Sequence, residues 1–379
     1  METVHGRSTK LNTIIYDAAV VGGGIAGASA VISLAQAGIG CVWLRPDFVD
    51  RGHRVGESLA PAANTILNSL GLSKILDSSV HRRSNATFSA WGKEFLVERN
   101  AAIHLEGAGH VVDRSQFEKD LFSLANESCS AFVEGELKSC HAETGIWKLI
   151  TESQSAATIQ SRFLIDATGR AQSIGRTLVQ NNTHDHLVAA FSFLTQKGNS
   201  DVQATCATLI ETVDTGWWYA SLLPAGVLAL NYYSDPDLMP KGLTNNLDDW
   251  KALIRKTKHI SHWIDDAEFI INAPPKIASA ATRCLSSAAG IQEGAPWAAI
   301  GDAAASFDPL SAHGMTTALW AATRVPDLVS GFKQGNDKPL FAYADAVAQG
   351  VNKFLSQRGD MYAQEKRFKE SEFWLRRCR

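Results

Sequence analysis

Six consecutive residues, Gly22-Gly23-Gly24-Ile25-Ala26-Gly27, form a GxGxxG at the point where an apolar β-like run gives way to a helical one. Glycines at this spacing allow a tight turn, close approach of backbone to a pyrophosphate and close packing of helix on strand. The free N–H groups and the helix dipole then face the phosphates. Four other places carry groups able to do chemistry. Gly56-Glu57-Ser58-Leu59-Ala60-Pro61 sets a carboxyl and a hydroxyl ahead of a helix; taken alone it reads as a helix start, with Ser58 as cap and Pro61 in the first turn. Arg114 stands in the first turn of an amphipathic segment, either as a surface cation or as a phosphate ligand. Asp166-Ala167-Thr168-Gly169 breaks a short apolar strand, and Gly301-Asp302 ends another. Behind it come Asp308-Pro309 and His313-Gly314-Met315, where His313 is the one histidine nominated as acid or base.

The elements that must position these groups follow from periodicity. Ile14 to Val21 predicts a buried strand, Ile25 to Ala37 a helix and Gly40 to Leu44 a second strand, so the first motif sits in a βαβ unit. Helices are expected over Ala62 to Leu70, Val111 to Ala125 and Thr316 to Thr323, and short strands over Phe163 to Ile165 and Ala298 to Ile300. Thr205 to Asp235 is β-rich. Within it, Trp217 and Tyr219 share one strand face and Trp218 takes the other. The acidic residue that usually holds the adenosine ribose should close the second strand, but that position is Arg45, followed by Pro46 and Asp47. An arginine accepts no hydrogen bond from a ribose hydroxyl, so it would meet a phosphate or stack on adenine, or Asp47 would substitute from the loop. A weakened nucleotide grip follows, one that Arg45→Glu should tighten.

With 379 residues, 45% hydrophobic and 20% charged, the chain has material for more than one compact unit and is neither disordered nor fibrous. A net charge of −3 provides no broad field for nucleic acid or an anionic membrane. The six cysteines, Cys41, Cys129, Cys140, Cys206, Cys284 and Cys378, show no CxxC and no cluster with histidine. That excludes a zinc site or disulfide framework and fits free thiols in a reducing cytoplasm, with no metal required. Met1 to Lys10 has no apolar block of the secretory kind. The uncharged stretch Ala18 to Leu44 is long enough to span a bilayer, yet its glycines and two β-like ends favour a buried βαβ unit.

Three features in chain order, Gly22-x-Gly24-x-x-Gly27, Asp166-Ala167-Thr168-Gly169 and Gly301-Asp302 with Asp308-Pro309, together resemble the FAD-dependent aromatic hydroxylase fold. Gly56-Glu57-Ser58-Leu59-x-Pro61 narrows the resemblance to the branch containing flavin-dependent halogenases. Within it the chain looks most like the LodB and GoxB type of flavoprotein, which matures the tryptophylquinone cofactor of a partner amino-acid oxidase. The resemblance runs from about Asp17 to Phe373-Trp374-Leu375-Arg376-Arg377. It implies an α/β architecture: a Rossmann-like FAD-binding domain (1–60, 105–185 and 282–335), an inserted β-sheet substrate domain (61–104 and 186–281) and C-terminal helices (336–379). Gly22, Gly24 and Gly27 would meet the pyrophosphate, with Ala26 also at the cofactor, while Arg114 and Asp302 would hold phosphate and ribityl groups. Arg45, Asp166, Gly169 and Pro309 would complete the cofactor site. The Gly314 and Met315 amides would face the flavin pyrimidine edge, where they suit a developing negative charge. Glu57 and Ser58 would line the loop beside the isoalloxazine, Glu57 and His313 being the catalytic candidates, and Trp217, Trp218 and Tyr219 the substrate strand.

A halogenase would further need a lysine upstream of the segment corresponding to Phe88-Ser89-Ala90-Trp91. Arg82 and Arg83 lie near that place, and Lys74 and Lys93 look misplaced. The halogenase WxWxIP signature is also broken: Trp217-Trp218-Tyr219-Ala220-Ser221-Leu222 has Tyr at the second Trp and Leu at the Pro. The expected activity is therefore hydroxylation of an indole, a tryptophan side chain in a precursor of a quinone-cofactor oxidase, using O2 and FAD reduced by NAD(P)H. A small-molecule aromatic hydroxylase, a halogenase and a non-catalytic flavoprotein chaperone are the alternatives.

Overall fold

A computed structural model describes residues 14–49, 52–53, 55–84, 86–100, 108–152 and 158–378. The reading of Met1 to Lys10 lies outside them. Five parallel strands form the heart of the first sheet, in the order Ala295–Ala299, Thr158–Asp166, Ile15–Val21, Cys41–Arg45 and Ala131–Glu134. Ala289–Gln292 adds an antiparallel edge, and the hairpin Glu136–Glu143 and Ile146–Glu152 extends Thr158–Asp166. Ala18, Ala19 and Val20 are wholly buried because helices cover the sheet, which explains their unbroken apolar run. Ile25–Gln36 packs against Gly314–Lys333 and Arg114–Ser128. The uncharged stretch Ala18 to Leu44 is thus strand, helix and strand, and among the described residues no helix is long and apolar enough to cross a membrane.

The second sheet is largely antiparallel. Val188–Gln196, Leu228–Ser234, Gly216–Leu222 and Thr208–Val213 lie side by side, and Ala86–Ala90 joins in parallel with Val97–Asn100 beyond it. Directly opposed aromatics bind its two central strands on both faces. Trp217 stacks on Tyr233 at 4.1 Å between ring centroids, and Trp218 on Tyr232 at 4.7 Å. On one face, helices Leu247–Ile254 and His259–Asp266 close a separate core around Trp218 and Trp250. On the other, the end of the long helix Lys338–Ala363 and the short helix Glu372–Leu375 bring Tyr362, Phe373 and Trp374 against Trp217. This C-terminal segment is tied down by polar contacts: Arg377 meets Asp235 at 2.6 Å, and the Trp374 indole N–H donates to the Val213 carbonyl at 2.8 Å.

Local differences from the sequence reading have local causes. Val111 and Val112 belong to the strand Gly109–Val112, and the helix starts at Arg114 because Asp113 accepts from the Gln116 N–H at 3.0 Å as its cap. The strand around Phe163 and the helix around Thr316 extend to Thr158–Asp166 and Gly314–Lys333. Of the segment 61–104, only 86–100 enters the second sheet. Ala63, Leu67 and Leu70 recur at helical spacing on the helix Ala62–Ser69 and the turn after it, and they bury in the first core instead.

Candidate active site

The GxGxxG turn is shaped by space as well as conformation. Gly22 has φ +126°, and a Cβ there would stand 2.2 Å from the Ala167 carbonyl oxygen, so the turn presses against the Asp166–Gly169 loop. A Cβ on Gly27 would meet the Gly22 oxygen at 2.0 Å. Gly24 is the opposite case, with nothing within 4 Å of its added carbon. That open space belongs to a cleft of about 450 Å³ at the N-terminus of Ile25–Gln36.

Around the cleft the structure gathers Gly24, Ala26, Glu57, Ser58, Arg114, Gly169, Asp302, Pro309, His313, Gly314 and Met315 from the first layer. The second sheet contributes Trp217, Tyr219, Asn231 and Tyr233. Gly22 and Gly27 lie behind the wall as packing residues, not in its lining. Arg114 is held at the rim, pairing with Glu118 at 2.6 Å and donating to the Gly56 carbonyl at 3.0 Å. Asp302 lies 3.4 Å from Arg170, whose guanidinium also donates to the Ala281 and Phe307 carbonyls. Helix Gly314–Lys333 points its N-terminus into the cleft, leaving amides without intrahelical partners, and exposed His313 precedes it.

Besides Gly22 and Gly27, three predicted site residues stand outside the lining. Asp166 is a loop brace: its carboxylate accepts from the Thr168 N–H at 3.0 Å, the Thr168 hydroxyl at 2.6 Å, the Gly175 N–H at 2.8 Å and the Ile174 N–H at 3.3 Å, so both its oxygens are engaged within the protein. Trp218 lies in the second core, turned away from the cleft by strand alternation, whereas Trp217 and Tyr219 line it. Arg45 does not reach the cleft either. Its guanidinium is buried among Trp43, Phe122 and Phe132, at 5.1, 4.3 and 4.7 Å from their ring centroids, and donates to the Asn126 side-chain oxygen at 2.8 Å. Arg45→Glu should therefore not tighten a nucleotide. It should place an unpaired carboxylate against three rings, facing Glu134 on the neighbouring strand, and cost about 3 kcal/mol. Chemical denaturation of the variant beside a flavin titration checks this, and tighter binding with unchanged stability would refute it.

Arg170, Asn231 and Tyr233 also line the cleft and are not singled out by the sequence, whereas Asp308 is. The signal for Asn231 is a lone amide in the fully buried run Leu228-Ala229-Leu230-Asn231-Tyr232-Tyr233-Ser234. Asp308 is buried beneath the cleft, accepting from the Leu310 N–H at 2.9 Å and the Tyr362 hydroxyl at 2.8 Å. Tyr362 in turn accepts from the Trp217 indole N–H at 3.0 Å. Burial pushes the Asp308 carboxyl above the usual carboxylate range.

Glu57 is 1% exposed and burial raises its carboxyl likewise, against the opposing pull of its own backbone N–H, the Tyr219 hydroxyl, the Gly56 backbone and the Arg114 charge. A carboxyl whose folded value is raised makes the folded state hold more protons. Its penalty is absent below the unfolded value near 4.5 and grows as pH rises toward the folded value. Glu57→Gln should therefore gain stability over the parent progressively from pH 5 to 8 in thermal melts. A constant difference across that range would show Glu57 to be ionised throughout.

A second, larger cavity of about 830 Å³ runs between helices Gly314–Lys333 and Lys338–Ala363. Phe307, Leu310, Trp320, Val347 and Phe354 make it mostly apolar, and it shares Phe307, Ser311 and His313 with the cleft. Arg82, near the place of a halogenase lysine, donates to the Leu222 carbonyl at 2.7 Å, and neither Lys74 nor Lys93 lines either cavity.

No family model matches the chain. A curated relative, "Putative FAD-dependent oxidoreductase LodB" of Marinomonas mediterranea, is 26% identical over 373 residues, 96% of each chain. The chain is an FAD-dependent enzyme. A 1H-pyrrole-2-carbonyl-[peptidyl-carrier protein] brominase of Pseudoalteromonas luteoviolacea is 23% identical, covering 87% of this chain and 81% of its own. The fold matches CmlS, a flavin-dependent halogenase, with a TM-score of 0.83 at 21% identity, over 96% of this chain and 68% of that one. It also matches QhpG, a peptidyl tryptophan dihydroxylase essential for tryptophylquinone cofactor biogenesis, with a TM-score of 0.75 at 19% identity, over 96% and 79%. The cleft fits FAD: open space at Gly24 leads onto a helix N-terminus, a second helix N-terminus faces it, and Arg114 stands at the rim.

Proposed function

We propose that this enzyme hydroxylates an electron-rich aromatic ring, the indole of a tryptophan in a precursor protein, as a step toward a tryptophylquinone cofactor. The observation that carries the reading is a roomy apolar groove beside the cleft, with Phe307, Ser311 and His313 in the wall of both, which offers an aromatic side chain a place next to the cofactor site. The likeness to LodB, and to the fold of a peptidyl tryptophan dihydroxylase, supports a polypeptide substrate.

When bound, FAD supplies the redox chemistry, reduced by NAD(P)H and oxidised by O2. Gly24 and Ala26 would receive the pyrophosphate, Arg114 and Asp302 its neighbouring phosphate and ribityl groups, with Gly169 and Pro309 closing the site. The Gly314 and Met315 amides would offset negative charge at the pyrimidine edge. The Glu57 carboxyl, raised by burial, would stand beside the reacting ring, and exposed His313 lies in the wall that cleft and groove share.

The test is turnover of the FAD-loaded enzyme with NAD(P)H and the precursor protein, reading oxygen consumption and peptide mass. A tryptophan gaining the mass of oxygen supports the reading. Turnover of free indole or phenol but not the precursor would indicate a small-molecule hydroxylase, and tight precursor binding with no modification would indicate a chaperone. Halogenation is a second reading, favoured by the fold match to CmlS and by Lys353, a lysine on the groove wall. A bromide-dependent product, abolished in Lys353→Ala, would decide for it.

A further inference from the structure

One short turn, Pro309–Ser311, stands between the cleft and the groove: Pro309 lines the first, Leu310 the second and Ser311 both. The turn leads through Ala312 and His313 into the helix that starts at Gly314. Ala312 has φ +51°, uncommon for a residue with a Cβ, and such a conformation persists where its surroundings impose it. Two hydrogen bonds close the turn on itself, from the Ser311 N–H to the Asp308 carbonyl at 3.1 Å and from the Ala312 N–H to the Pro309 carbonyl at 3.0 Å. They do not fasten it to the rest of the molecule. The Asp308 carboxylate does, accepting from the Leu310 N–H at 2.9 Å on one oxygen and from the Tyr362 hydroxyl at 2.8 Å on the other.

The direction of these bonds is fixed by chemistry, because an indole N–H and a backbone N–H can only donate. The Tyr362 oxygen therefore accepts from Trp217 at 3.0 Å, and its single proton goes to Asp308. A one-way chain of hydrogen bonds thus runs from a ring in the cleft wall, through the last turn of the helix Lys338–Ala363, to the turn between the two cavities. One hydroxyl stands at its centre. Tyr362 is wholly buried, and its ring is boxed by Trp91, Trp374 and Phe373 at 5.6, 5.8 and 6.2 Å between centroids, so the hydroxyl cannot swing away.

We infer that Tyr362 is a positioning residue: its hydroxyl, acting through Asp308, sets the Pro309–Ser311 turn, and with it the Gly314 and Met315 amides, against the flavin, while holding Trp217 in the cleft wall. This rests on the proposed placing of FAD in the cleft and adds a residue that lines neither cavity. The C-terminal segment then serves the site and not only the fold. A bond to a carboxylate is among the stronger hydrogen bonds, and a displacement of amides by a fraction of an ångström is enough to weaken the contacts they make.

The experiment is a fluorescence titration of the full chain with FAD, at a temperature where every variant is folded by circular dichroism, with the visible spectrum of the bound flavin recorded at saturation. Tyr362→Phe keeps the ring and its packing; it should bind FAD about five- to tenfold more weakly, the equivalent of one misplaced hydrogen bond, with a shifted visible band. Trp374→Phe removes a hydrogen bond from the same core, that of the indole N–H to the Val213 carbonyl, and should lower the melting temperature while leaving FAD affinity and spectrum at the parent values. Asp308→Asn keeps an acceptor for the Leu310 N–H but turns an amide toward the Tyr362 hydroxyl. It should weaken FAD by the same factor as Tyr362→Phe, and the double variant should be no weaker than either, because both changes break one bond. Parent affinity in Tyr362→Phe overturns the inference. So do losses that multiply in the double variant, or an equal loss in Trp374→Phe, since either would mean that the segment acts by general packing. Should Tyr362→Phe not fold, Asp308→Asn decides: parent affinity there overturns the inference, and a matching loss upholds it. FAD binding by the parent with no effect of these variants refutes the inference alone, whereas failure of the parent to bind FAD refutes it together with the reading of the cleft.

Discussion

Gly27→Ala is expected to destabilise the protein by about 3 kcal/mol, whereas Gly24→Val should leave its stability unchanged and remove its cofactor. The two positions lie in one motif but face opposite ways. At Gly27 a methyl group would stand 2.0 Å from the Gly22 carbonyl oxygen, so the helix Ile25–Gln36 must move off the first strand of a sheet whose neighbouring residues are wholly buried. Overpacking in such a core costs typically 1–3 kcal/mol, and a backbone oxygen is among the least yielding of neighbours. At Gly24 there is nothing within 4 Å, and the backbone already has the extended conformation that a β-branched residue prefers. The valine side chain would fill the space that the pyrophosphate needs. Losing one or more charge-assisted hydrogen bonds weakens binding about 10- to 150-fold. Thermal melts of both apo-proteins with a parallel FAD titration test the pair. Normal FAD affinity in Gly24→Val would show that the pyrophosphate lies elsewhere.

Trp218→Ala should cost about 3–5 kcal/mol while leaving catalysis by the folded fraction unchanged. Its ring stacks on Tyr232 at 4.7 Å and lies 5.1 Å from Trp250, in a core with no route to the cleft. Trp217 differs although it is equally buried, because it lines the cleft and donates to Tyr362, which leads on to Asp308 beneath the cleft. Trp217→Ala should therefore lose stability and also lower substrate-dependent oxygen consumption per folded molecule. Urea denaturation with activity normalised to the native fraction distinguishes the two faces. Equal losses of normalised activity in both variants would refute the assignment of Trp217 to the site and Trp218 to the core.

What could be read from sequence alone was the part governed by near neighbours along the chain. The first strand, turn, helix and second strand announce themselves because a parallel strand covered on both faces needs an unbroken apolar run, and because glycine spacing in a βα turn is a local steric demand. Alternation likewise separated Trp217 and Tyr219 from Trp218, since side-chain direction in a strand follows from residue parity. Tertiary structure decided which of those faces met the cleft, because that depends on helices packed from elsewhere, Leu247–Ile254 and His259–Asp266 on one side and the C-terminal segment on the other. It also decided the fate of individual polar groups. Arg45 stands where a ribose-binding acid is expected, yet rings from three separate elements enclose it, and Asp166 spends its carboxylate on the Thr168 and Gly175 backbone. Glu57 and Tyr219 show no relation to one another in the chain. Packing across the cleft brings them together, and no local pattern can encode a contact between residues so far apart in sequence.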